Sequence, residues 1–232
     1  MGVSATIRRV VGRWAGARPG TTAGVARVHD VTSCSTEIDL VPLDVIRWAP
    51  CWMTRAERLL LYGLTFALRP ERYLEIGTYR GGSAAIVATA MDALGSSGRV
   101  VCVDAGHEVD PPVWERIRHR ATQVIGRSPE VLPSARVAGG GEPFDLVLID
   151  GDHSYEGVLR DAHAVLDHVA PGAYLLCHDG FNPGVAAALD RFCREQATRV
   201  LDAGVLTREV TQGEDAEGRP TRWGGLRMMR VV

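Results

Sequence analysis

The chain has 232 residues, 46% of them hydrophobic, with a formal net charge of −2. That suffices for one α/β domain of ordinary size, and the near balance of charge leaves no basic stripe for nucleic acid. All 26 basic residues are arginine, so no lysine can serve as general base, Schiff-base former or P-loop phosphate ligand.

The first 20 residues are basic at the start, but Arg and Gly interrupt their apolar run before a signal-peptide core could form. No stretch approaches membrane-spanning length. Cys34, Cys51, Cys102, Cys177 and Cys193 are scattered without a CxxC pair, which implies a reduced, cytoplasmic inventory rather than a disulfide framework.

Residues 1–52 are irregular and rich in Gly, Pro and Thr, which predicts a tail followed by a lid or oligomer arm, with the main domain at 53–232. Thr54 and Glu57 then form a capping box, opening a helix with a broad apolar face that ends at Pro70. Beyond it strand and helix alternate. Strands are predicted at Tyr73–Ile76, Arg99–Asp104, near Gln123–Ile125, at Phe144–Ile149 and at Ala173–Cys177. Helices are predicted at Ser83–Leu94, around Val113–Arg120, near Pro129–Leu132, at Tyr155–Val169 and at Val185–Thr198. Arg199–Leu206 and Trp223–Val231 read as an antiparallel pair joined across the polar loop Gln212–Pro220. The pattern implies a doubly wound, mostly parallel, seven-stranded α/β sheet covered on both faces, with ligands beyond the carboxyl ends of the strands.

Three places carry chemistry. The first is the turn Gly77-Thr78-Tyr79-Arg80-Gly81-Gly82-Ser83 between the first strand and its helix. Glycines there let a ligand approach the backbone, or simply allow tight strand–helix packing. Glu75 lies inside the strand, a costly position for a carboxylate unless it bonds to something specific. The second place is Asp104, ending the next strand, where a carboxylate can accept both ribose hydroxyls of a nucleoside. A dinucleotide fingerprint would need GxGxxG, and Tyr79 stands where its second glycine belongs, so a nicotinamide-dependent dehydrogenase is disfavoured. The third is the pair of clusters Asp150-Gly151-Asp152-His153 and His178-Asp179, ending two strands that adjacent parallel pairing would bring together. Carboxylates held so close repel unless protonated or bridged by a cation, which makes a divalent metal a natural occupant.

EIGTYRGGS followed by VVCVD resembles the first two motifs of class I S-adenosylmethionine-dependent methyltransferases. FDLVLIDGDHSYEGVLRD with LLCHDGF resembles the bacterial O-methyltransferase group that modifies sugars and hydroxyls of secondary metabolites, and more distantly the catechol-type, metal-dependent enzymes. The resemblance covers Thr54 to Val232. It implies that Glu75 helps hold the methionine amine, that Gly77, Tyr79, Gly81 and Ser83 surround the carboxypropyl chain, that Asp104 holds the ribose, and that Ser128 lies on the adenine side. It further implies that Asp150 adjoins cofactor and metal, and that Asp150 and Asp179 match metal ligands. His178 falls where the group often has a carboxylate. Oxygen ligation suits Mg²⁺, the favoured ion by abundance, whereas an imidazole makes Mn²⁺, Fe²⁺, Co²⁺ or Ni²⁺ more competitive.

His153 is the candidate general base, since an imidazole near neutral pKa can take the hydroxyl proton in a position where catechol-type relatives have a lysine. Alternatively it is a helix N-terminal residue bonded to the backbone or to Asp152. Asp152 itself reads as the cap of the helix from Tyr155. His163 and His168 read as surface or packing residues, and His107 and His119 have no nameable partner. Trp48, Trp52 and Phe181 wall an acceptor pocket or pack the N-terminal segment. The expected function is O-methylation of a small molecule, a sugar or glycosylated natural product, by an enzyme with no nucleic-acid or membrane partner that can form a homo-oligomer. The alternatives are a metal-independent N- or C-methyltransferase and a non-catalytic cofactor-binding protein.

Overall fold

The computed structural model describes residues 39–106 and 109–232. The expected tail over residues 1–38, with Cys34, and also His107, lie outside the described residues. A 3-10 turn (Val41–Asp44) runs into helix α1 (Val45–Trp48). Val45 and Ala49 are buried in one cluster with Met53, Leu61 and Ala84, so this stretch packs onto the domain.

Helix α2 (Arg55–Leu68) starts at the predicted capping box, in which Glu57 N donates to Thr54 Oγ1 and Thr54 N to the Glu57 carboxylate. It ends on Arg69 in the left-handed region, just before Pro70. The alternation that follows is β1 (Arg72–Ile76), α3 (Gly82–Ala93), β2 (Arg99–Asp104), α4 (Pro111–Ile117), β3 (Ala121–Ile125), α5 (Leu132–Ala138), β4 (Phe144–Ile149), α6 (Tyr155–Val165), β5 (Val169–Cys177) and α7 (Pro183–Glu195). Four further strands close the chain: β6 (Val200–Val205), β7 (Thr211–Glu214), β8 (Pro220–Trp223) and β9 (Arg227–Val231).

The main sheet has seven strands in the order β3-β2-β1-β4-β5-β9-β6. The first five are parallel, and β9 runs antiparallel to both β5 and β6. Alternation along each strand divides the core between the two faces. Leu74, Ile76, Val101, Val103, Val147 and Ile149 face α5, α6 and α7, whereas Tyr73, Val100, Cys102, Leu146 and Leu148 face α1 to α4. The strand order reverses between β1 and β4, which opens a crevice beyond their carboxyl ends.

Three expectations shift. Pro133 lies in the first turn of α5, where a missing N–H costs nothing, so the short helix predicted near Pro129–Leu132 begins at Leu132 and runs on to Ala138. α6 stops at Val165, and β5 starts already at Val169, where a register irregularity between Phe144 and Leu146 accommodates Pro171 and Gly172 within the pairing. The polar loop is not a plain connection. It folds into the two-stranded hairpin β7–β8, and Trp223 belongs to that hairpin rather than to the last strand. Among the described residues no helix is long and apolar enough to cross a membrane.

Candidate active site

At the crevice the backbones of β1 and β4 nearly touch. Asp150 N donates to Ile76 O at 2.8 Å, and Gly77 N to Val103 O at 2.9 Å. Gly77 has φ +88°, and a Cβ there would lie 2.2 Å from the carbonyl oxygen of Asp150. Only glycine satisfies both conditions. The turn continues through Tyr79, itself at φ +46°, whose N–H donates to Asp104 Oδ2 at 2.7 Å, and reaches Gly81, the N-cap of α3. Asp104 Oδ1 also accepts from Gly106 N at 3.0 Å, so this carboxylate is aimed by two backbone amides.

A cleft of about 710 Å³ opens over this turn. Gly77, Tyr79, Ser83, Asp104, Ser128, Asp150, His153, His178 and Asp179 all line it, so the structure brings together most of the residues singled out in the sequence. Ser128 is buried at the cleft wall beside the Asp161 carboxylate. Two predicted residues stand back from the surface. Gly81 is buried, and a Cβ there would meet the Val109 side chain. Glu75 is fully enclosed, with Tyr73 Oη donating to Oε2 at 2.7 Å and Ser83 Oγ to Oε1 at 3.0 Å. Its carboxylate therefore reaches the cleft only through Ser83.

Burial raises the Glu75 pKa from an ordinary 4.5 to about 8, against the pull of the two hydroxyl donors. Folded protein thus holds this proton more tightly than unfolded chain does. The corresponding stability is complete below about pH 4.5 and is lost as pH rises towards 8. Glu75→Gln, which keeps a neutral side chain, is expected to remove that decline and to gain a few kcal/mol over wild type at pH 9 relative to pH 5. Urea unfolding at both pH values measures it, and parallel curves for the two proteins would contradict the assignment.

The second half of the cleft holds four side chains at the ends of β4 and β5. His178 Nδ1 lies 3.0 Å from Asp150 Oδ1 and 3.3 Å from Asp179 Oδ2. His153 Nε2 lies 3.3 Å from the same Asp150 oxygen and 3.1 Å from the same Asp179 oxygen. One donor atom from each residue falls within 4.8 Å of the others. Asp179 is held at φ +56°, a left-handed conformation unusual for a residue with a side chain, and its Oδ1 accepts from Gly224 N at 2.5 Å.

The charges support one another. Burial acts against ionisation of Asp150, but the two imidazoles outweigh it and hold its pKa below the usual range. Asp179 is lowered further by the same two rings. Burial also opposes charge on His153, yet Asp150 and Asp179 raise it to about 9, and His178 is raised well above its ordinary value by the same carboxylates.

The structure adds residues that sequence reasoning passed over. Glu57, read as a helix cap, is fully buried and lies 3.3 Å from His178 Nε2. Its spacing to Thr54 already explained it locally, and nothing in the sequence hinted at a partner 121 positions away. Trp223 lines the cleft with its indole edge-on to His153, ring centroids 5.6 Å apart. Its place after a polar loop gave no signal. Asp161, on the inner side of α6, is buried at the cleft wall near Ser128.

Other assignments resolve individually. Ser154, not Asp152, caps α6, accepting from Gly157 N, while Asp152 Oδ1 accepts from Ser154 N at 2.9 Å. The cap thus moved two residues because Asp152 supports the capping turn from outside. Trp52, 84% exposed, lines the cleft beside Tyr79. Trp48 instead packs on the core under the Arg116 guanidinium, and Phe181 lies against Gly225. His163 joins α6 to α7 through Glu195 at 2.8 Å. His119 pairs with Asp92, a partner the sequence did not suggest.

A glycine turn at the switch point, a carboxylate closing β2 and a charged quartet beyond β4 and β5 are all encompassed by one sequence match, since residues 74–180 fit the family described as Methyltransferase domain. Over that segment, a little under half of the chain, the sequence is similar to this family. A search of curated protein sequences finds no match. Among solved structures, the chain is similar in fold to an O-methyltransferase from Bacillus cereus in complex with S-adenosylhomocysteine, at 20% identity over 85% of this chain and 93% of that one, with a TM-score of 0.60. It is similar also to the O-methyltransferase TomG from Streptomyces achromogenes, involved in tomaymycin synthesis and solved with S-adenosylmethionine, at 21% identity over 82% of this chain and 87% of that one, TM-score 0.55. The S-adenosylhomocysteine-bound Podospora anserina methyltransferase PaMTH1 aligns at 17% identity over 84% and 89% of the two chains, TM-score 0.51. At these identities the likeness shows the fold.

Proposed function

We propose that the chain transfers the methyl group of S-adenosylmethionine to a hydroxyl oxygen of a small molecule, a sugar or glycosylated natural product, with help from a divalent metal. The quartet Asp150, His153, His178 and Asp179 beside the cofactor turn carries the reading, because nothing in the packing of β4 and β5 requires four ionisable groups there. TomG, similar in fold, belongs to natural-product synthesis, which supports the substrate class by analogy alone. The free cysteines Cys51, Cys102, Cys177 and Cys193 support a reducing, cytoplasmic setting.

In this reading Asp104 takes the ribose, Ser128 the adenine side, and Gly77, Tyr79 and Ser83 the carboxypropyl chain, with Glu75 acting behind Ser83 on the amine. The residues present also fit a metal. Neighbouring ligands about 2.1 Å from one ion lie roughly 3.0 Å apart in octahedral and 3.4 Å apart in tetrahedral arrangement. The four nitrogen–oxygen edges of the quartet measure 3.0 to 3.3 Å. Asp150, His178 and Asp179 would hold the ion. A divalent cation there supplies positive charge that favours ionisation of the acceptor hydroxyl and opposes the proton on His153.

The chain's own residues do the rest. The acceptor oxygen attacks the methyl carbon, the carbon–sulfur bond breaks with its electron pair passing to sulfur, and the hydroxyl proton goes to His153 Nε2. His153 is the most exposed member of the quartet and the one able to meet an incoming acceptor. Trp223 and Trp52 present indole surface to the cleft for an apolar or sugar face.

A second reading has its own observation. With His178 set against Asp150, Asp179 and Glu57, imidazolium groups alone neutralise much of the carboxylate charge, and the enzyme works without metal. Methyl-labelled cofactor offered with a panel of hydroxyl compounds, with added Mg²⁺ or Mn²⁺ or with chelator, decides. Label in a hydroxyl product that chelation reduces at least about tenfold is the expected result. A chelator-insensitive rate favours the second reading, and label on nitrogen or carbon overturns O-methylation.

A further inference from the structure

The capping box accounts for only part of what Glu57 touches. Thr54 N donates to its Oε2 at 2.6 Å, as the box requires. The same carboxylate also faces His178 Nε2 at 3.3 Å and accepts from Gly225 N, contacts that a helix cap has no use for. It is completely buried, so its ionic form depends on these partners. Three separate parts of the chain meet on this one side chain: the first turn of α2, the end of β5, and the glycine pair leading into β9.

We propose that Glu57 is the positioning carboxylate of His178. By accepting the Nε2–H it fixes the ring in one tautomer and turns Nδ1 towards Asp150 Oδ1 at 3.0 Å and Asp179 Oδ2 at 3.3 Å. Without metal, Nδ1 at these distances donates a proton to the two carboxylates; a divalent ion among them would displace that proton and take the Nδ1 lone pair, while Glu57 keeps the Nε2–H. The carboxylate–imidazole arrangement thus presents a nitrogen donor to a divalent ion, the role that outer carboxylates play behind ligating histidines. The inference rests on the metal reading above and extends it. With one imidazole donor locked in place, the site selects Mn²⁺, Co²⁺ or Fe²⁺ over Mg²⁺, and the selection depends on a residue in the N-terminal helix outside the quartet.

Glu57→Gln is the informative variant, because glutamine at this helix position retains the capping box. Co²⁺ titration of the full chain, followed by its visible absorption bands without cofactor or acceptor, compares wild type, Glu57→Gln and His178→Ala. Wild type is expected to bind Co²⁺ in preference to Mg²⁺, His178→Ala to lose that preference, and Glu57→Gln to bind about ten- to a hundredfold more weakly. Equal Co²⁺ affinity in wild type and Glu57→Gln overturns the positioning role and leaves the metal reading standing. Absence of Co²⁺ and Mn²⁺ binding in wild type overturns both. Independently of any variant, long-range proton–nitrogen spectra of the Zn²⁺-loaded wild-type protein report the His178 tautomer. A proton on Nε2 supports the proposal, and a proton on Nδ1 refutes it.

Discussion

His153→Ala is expected to lower the rate of methyl transfer by about a hundredfold or more, while the dissociation constant for S-adenosylhomocysteine changes by less than about threefold. The split follows from position. His153 directs its Nε2 at Asp150 and Asp179 and sets its ring against Trp223. Its hydrogen-bonding and ring partners are Asp150, Asp179 and Trp223 and not the Gly77–Ser83 turn, so truncation removes the proton acceptor and spares the nucleoside site. Single-turnover measurement with labelled cofactor separates the two quantities, because product release then drops out of the rate. A rate within threefold of wild type would remove His153 from the mechanism. A collapse of cofactor affinity would instead show that the ring supports the fold of the cleft.

Gly77→Ala is expected to weaken S-adenosylhomocysteine binding at least about a hundredfold. Two costs coincide at this position. The backbone is at φ +88°, which a side chain tolerates poorly, and the new methyl would stand 2.2 Å from the carbonyl oxygen of Asp150. Neither the end of β1 nor that of β4 can retreat cheaply, since Asp150 N is bonded to Ile76 O and Gly77 N to Val103 O across the sheet. The turn must therefore deform where the carboxypropyl chain is to lie. Gly141→Ala is the control. It shares a positive φ of +89° but meets nothing within 4 Å, so it registers backbone strain without the collision and leaves binding intact. Calorimetric titration of both variants measures the difference, and equal affinities would show that the β1–β4 approach does not shape the cofactor site.

Much of the fold was legible because its signals are local. Arg99–Asp104 and Phe144–Ile149 are continuous apolar strands whose bounds coincide with the observed β2 and β4, and the Thr54–Glu57 box marks the start of α2. That Asp104, Asp150, His153, His178 and Asp179 would line one cleft was legible for a related reason. They end strands, and a parallel sheet brings strand ends to one edge. What stayed hidden depends on long-range packing or on side-chain direction. Glu57 reaches His178 only because α2 lies over the end of β5. Trp223 reaches His153 only because the polar loop folds back as a hairpin, and Gly213 leaves room for the indole to lie across it. Glu75 was correctly marked as a carboxylate needing partners, but that Tyr73 and Ser83 would enclose it on both sides was not written in its spacing.

The central claim is that the cleft between the Gly77 turn and Asp104 binds the methyl-donor nucleoside. Calorimetric titration of the purified protein with S-adenosylhomocysteine, with and without Mg²⁺, beside the same titration with NAD, tests it most directly. The structure predicts micromolar, one-to-one binding of S-adenosylhomocysteine and none of NAD, because Tyr79 occupies the place where a pyrophosphate would need glycine. No heat with S-adenosylhomocysteine, or tighter binding of NAD, would contradict the account.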